Sequence, residues 1–78
     1  MKKQMIIDMG RAFDKANLLA NKLMDLENVV YSKIVNDSDG YVTVTIEYSG
    51  EAAHIVSRLD MYPIKQYIRG ILYTKDEG

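Results

Sequence analysis

Seventy-eight residues with ten Lys and Arg against eleven Asp and Glu give a net charge of −1, with one His and no Cys. This composition excludes disulfides and a thiolate zinc site, and it supplies neither the basic excess that draws a protein to nucleic acid from a distance nor an acidic surface that imitates one. A chain this short buries only about 60–65% of its unfolded surface, so oligomerisation or partner binding is the supplement that remains for a thin core.

Residues 4–26 carry apolar groups at helical spacing. Met5, Met9, Ala12, Ala16, Leu19, Leu23 and Leu26 alternate steps of four and three, with Ile6, Phe13 and Ala20 beside them. That period predicts one long amphipathic helix. Ile7 and Leu18 break the pattern. At 100° per residue they project about 200–220° from Met5, on the polar face and about 16 Å apart, as a second contact surface would require. Glu27-Asn28 then ends the helix, Asn being tolerant of left-handed geometry.

Two strands follow, at about 29–36 and 41–48. In the second, Val42, Val44, Ile46 and Tyr48 alternate with Tyr41, Thr43, Thr45 and Glu47, the period of a half-buried strand. The first is apolar on both parities, which suits burial on two faces or contact with a second chain. Asp37-Ser38-Asp39-Gly40 closes the hairpin as a type I turn with Gly40 left-handed. This turn pairs Ile34 with Val44 and Val30 with Tyr48; a four-residue loop would shift the register by one.

Ser49 reads as the N-cap of a helix over about 50–60, with Ala52, Ile55, Val56 and Leu59 on its apolar face. Pro63 interrupts it, because proline lacks an N–H and restricts Tyr62. A final helix over about 63–73, weakened by Gly70, precedes the polar tail Lys75–Gly78. The fold expected is α+β in the order α-β-β-α-α: an N-terminal helix, a two-stranded antiparallel hairpin and a C-terminal helical segment broken near Pro63, in one domain over 1–78.

No motif names a reaction. With Gly40 at position six of a calcium loop, position one is Val35 and position twelve Ile46, where carboxylates are needed. His54 has Glu51 three residues away and no nucleophile motif beside it. Asp8, Arg11, Asp14 and Lys15 interrupt any signal-peptide core after Met1-Lys2-Lys3, and no apolar run approaches the roughly 20 residues of a membrane span.

The function expected is therefore non-enzymatic and cofactor-free: a cytoplasmic protein-interaction module, a regulator or inhibitor of an unidentified protein, and a homodimer, with no membrane role. Two strands alone are marginal in water, which favours pairing with a second copy. Tyr is enriched at interfaces because it joins contact area to a hydroxyl that tolerates water, and this chain has six. The interface candidates are Ile7, Leu18, Tyr62 and Tyr67. The alternative is a nucleic-acid surface of Arg58, Lys65 and Arg69, interleaved with tyrosines on which bases stack.

Overall fold

Residues 3–8 are a strand, not the start of a helix, and this changes the architecture. The computed structural model describes residues 3–73, in the order β1 (Lys3–Asp8), α1 (Phe13–Leu23), β2 (Val29–Asn36), β3 (Val42–Tyr48), α2 (Ala52–Met61), a 3-10 turn (Pro63–Tyr67) and β4 (Gly70–Tyr73). The strands form one four-stranded sheet in the order β2-β3-β1-β4, with every neighbouring pair antiparallel. The split β-α-β arrangement, called ferredoxin-like, has this order. The α-β-β-α-α expectation with a lone hairpin is thus overturned, and so is its corollary that two strands need a second copy to complete them. The polar tail from Lys75 lies outside the described residues.

The misreading of β1 has a physical cause. Met5 and Met9 are four apart, a spacing that shares a face in a helix and in a strand alike. Ile7 separates the two cases, since it lies opposite Met5 on a helix but beside it on a strand. In the structure Met5 and Ile7 are both fully buried. Ile7 is therefore core, paired with Val44 on one side and Ile71 on the other, and its assignment to an exposed contact surface is withdrawn. Gly10 ends the strand in a turn with φ +59°, a left-handed conformation that glycine adopts freely. The Asp8 carboxylate accepts the Gly10 N–H at 2.9 Å.

The rest of the stripe behaves as a helix. Ala16, Leu19, Ala20 and Leu23 are buried on α1. With eleven residues and no side-chain N-cap, α1 is held by this packing more than by its own propensity. The hairpin keeps its type I turn: Gly40 takes φ +87°, and Asp37 Oδ1 accepts the N–H groups of Asp39 and Tyr41, both at 2.9 Å. Ile34 faces Val44, but a bulge at Val30 shifts the far end, so that Val29 rather than Val30 meets Tyr48.

Ser49 does not cap α2. Glu51 occupies the N-cap position without a side-chain bond, while the Ser49 N–H donates to the Asn28 carbonyl at 2.8 Å and ties two loops together. Pro63 does end the helix: Tyr62 before it is extended, at φ −83° and ψ 140°. The helix expected over 63–73 is only the short 3-10 turn, after which Ile68 is extended and β4 pairs with β1. Both helices and the 3-10 turn cover one sheet face, and the buried core between them is apolar among the described residues, apart from the hydroxyl tip of Tyr48. No helix among the described residues is long and apolar enough to cross a membrane.

Three variants test this packing and the turn. Leu23→Ala should cost about 2–5 kcal/mol in urea melts, the usual range for a buried leucine. Gly40→Val should lower the midpoint because a branched side chain resists positive φ, whereas Ser38→Ala should leave it within about 0.5 kcal/mol of wild type.

Candidate functional site

The face of α1 turned towards the 3-10 turn carries Lys15, Leu18 and Lys22, at i, i+3 and i+7. The Lys15 ammonium lies 5.5 Å from the centre of the Tyr67 ring and that of Lys22 5.7 Å from the Tyr62 ring. One turn further back, the Arg11 guanidinium lies 5.0 Å from the Tyr41 ring. Each such pair contributes about 0.5–1 kcal/mol when exposed, and two of them fasten the segment around Pro63 to α1. Leu18 sits between them on the same stripe, 48% exposed.

Three of the four interface candidates thus fall together: Leu18, Tyr62 and Tyr67 share one side of the molecule, and only Ile7 does not belong. The tyrosines are partly accounted for inside the chain, through their lysine partners and the contact of Tyr62 with the core.

The basic set does not converge in the same way. Arg58 lines a cleft with Asn28, Glu51 and His54 at the end of the sheet where β3 meets α2. Arg69 lines another at the opposite end, with Asp8, Asp37 and Tyr41, its N–H donating to the Asp8 carbonyl at 2.7 Å. Lys65 lies in the 3-10 turn and lines neither cleft. His54 Nε2 is 3.8 Å from Glu51 Oε2, with both side chains about three-quarters exposed, so water screens the pair strongly. Among the described residues no three His, Asp or Glu side chains gather as a metal would require.

Among the described residues no helix covers the second sheet face. Strand alternation places Gln4, Ile6 and Asp8 of β1 there, with Tyr31, Lys33 and Val35 of β2, Thr43, Thr45 and Glu47 of β3, and Leu72 of β4. Leu72 is 72% exposed. This surface was not legible while residues 4–26 read as one helix; the alternation of Gln4, Ile6 and Asp8 with Met5, Ile7 and Met9 was the available signal. On this face the Tyr31 phenol is held above its ordinary value, first by desolvation and then by the charge and hydrogen bond of Glu47, its cross-strand neighbour.

Compared with known proteins, the chain matches no family model and no curated protein.

The Tyr31 shift has a testable sign. A raised folded pKa means that the folded chain holds this proton more tightly than the unfolded chain. The associated stability is complete below the ordinary value of 10.0 and is lost as pH rises through the higher folded value. Ultraviolet titration should show the late-ionising phenol fraction shrink in Tyr31→Phe; an unchanged high-pH limb would contradict the assignment.

Proposed function

We propose that the chain is a non-enzymatic protein-interaction module, a homodimer that regulates or inhibits a partner protein. The observation that carries this reading is the exposed Leu18 on the stripe between Lys15 and Lys22, whose ammonium groups lie over the Tyr67 and Tyr62 rings. This surface joins an exposed leucine to two amphipathic aromatics on rigid elements. Interface anchors are commonly of this type, because tyrosine buries much area with little loss of side-chain freedom. The lysines over the rings hold them in place before a partner arrives, which lowers the ordering cost of binding. The uncovered sheet face adds further apolar surface at Ile6, Val35 and Leu72.

The nucleic-acid reading draws less support, because Arg58 and Arg69 line clefts at opposite ends of the sheet and Asp8 and Asp37 share the second.

Two double variants, each first checked for a native melt, test the proposal by affinity capture from the native cell. Leu18→Ser/Tyr67→Ala should abolish capture of a protein partner. Lys65→Ala/Arg69→Ala should leave it intact. Loss in the second variant alone, with wild-type binding that falls steeply as salt rises, would replace the protein interface with a nucleic-acid one.

A further inference from the structure

We infer that two copies of this chain join through the outer edge of β2, with the β2-side flanks of their α1 helices packed above the seam. The inference rests on the homodimer part of the proposed function and names the surface that would form it.

β2 is an outer strand of the sheet, and its free backbone groups can be identified. The Val42 N–H donates to Gly10 and the Val42 carbonyl accepts from Met9, so the even residues of β3 bond towards β1. Its odd residues therefore bond towards β2, where Val35, Lys33 and Tyr31 stand opposite them. Hydrogen bonding alternates sides along a strand. Ser32, Ile34 and Asn36 consequently turn their N–H and C=O groups outward.

Such an edge is usually blunted by charge, proline or a bulge. Here one lysine and no proline interrupt eight residues, and the bulge lies at Val30, near one end.

Three two-fold registers can be compared. Centred on Lys33, the two lysines would face each other. Centred on Ser32, the bulged Val30 would have to pair. Centred on Ile34, Ser32 meets Asn36 of the second copy, Ile34 meets its equivalent, and all three outward residues bond. Lys33 then faces Val35 of the second copy, and its ammonium can reach the exposed Asp37 of that copy one diagonal step on. The charge pattern of the edge is complementary to itself in this register.

The helices fit the same arrangement. The Ser32 hydroxyl donates to the Ala20 carbonyl at 2.7 Å, which places the Ala20 side of α1 next to β2. Phe13 and Met24 lie within about 20–40° of Ala20 around the helix, and each is nearly half exposed. α1 packs over β2 and β3. With strands about 4.8 Å apart, two such helices related by a two-fold at the β2 edge lie about 9–10 Å apart, the spacing of packed helices. A second copy thus covers Phe13 and Met24 while it completes the strand, which an isolated peptide strand would not do.

The chain contains no cysteine, so a single introduced thiol reports the seam. Across a hydrogen-bonded antiparallel pair the Cα atoms are about 5.5 Å apart, within reach of a disulfide. Ile34→Cys should oxidise rapidly to a covalent dimer, whereas Leu72→Cys, on β4 at the opposite edge, should lag. Asn36→Pro removes an outward N–H that the single chain does not use; it should melt like wild type and weaken the dimer at least about tenfold in light scattering across a concentration series. A wild-type mass of one chain throughout that series overturns the homodimer and the seam together. A two-chain mass overturns the seam alone if Ile34→Cys cross-links no faster than Leu72→Cys, or if Asn36→Pro dimerises as well as wild type.

Discussion

The pairing of β1 between β3 and β4 is the interaction on which the rest of the molecule depends. β1 matches six residues of β3 and four of β4, so it turns a hairpin and a short C-terminal strand into one sheet. Its inward side chains Met5 and Ile7 are fully buried, and burial of that kind contributes about 1.5–3 kcal/mol for each side chain. Without β1, β4 would have no neighbour and the hairpin would be a two-stranded ribbon, which is marginal in water.

That constraint also sorts the surfaces. Because α1 and α2 both cover the face of Met5, Ile7, Val44 and Ile46, the opposite face is left to Thr43, Thr45, Glu47 and the apolar groups at its margins. An antiparallel sheet can accept one wet face in this way, and its strands then alternate apolar with polar residues. β3 follows that rule throughout. β2 departs from it in Val30 and Val35, both exposed, and lies at the edge where unsatisfied backbone groups are available.

The same packing explains why the tyrosines are distributed as they are. Tyr48 is in the core, Tyr31 is half-buried beside Glu47, and Tyr41, Tyr62 and Tyr67 lie under cations of α1 or the turn preceding it. A short chain with little core can use ring-to-cation contacts to fix peripheral segments at a small cost in burial. The proposed interaction surface is built from these segments, and fold alone does not specify what such a surface binds.

Local chemistry by itself determined the parts of this protein that need only neighbouring residues. The alternation of Val42 to Tyr48 marked β3. Asp37 to Gly40 marked the turn and much of the hairpin register. Leu19 and Leu23 marked the buried side of α1, Pro63 the end of α2, and Leu18 an apolar residue on the wrong side of a helix. Tertiary structure decided what those signals leave degenerate. Met5 and Met9 share a face in a helix or a strand, so only pairing with Val44 and Ile71 on either side of Ile7 made residues 3–8 a strand. Ile64, Ile68 and Ile71 fit a helical period as well, yet Gly70 to Tyr73 became β4 because β1 offered an unpaired edge beside it. Backbone hydrogen bonds between distant segments override a short apolar periodicity, and the sheet's open face and free edge exist only once those distant bonds have formed.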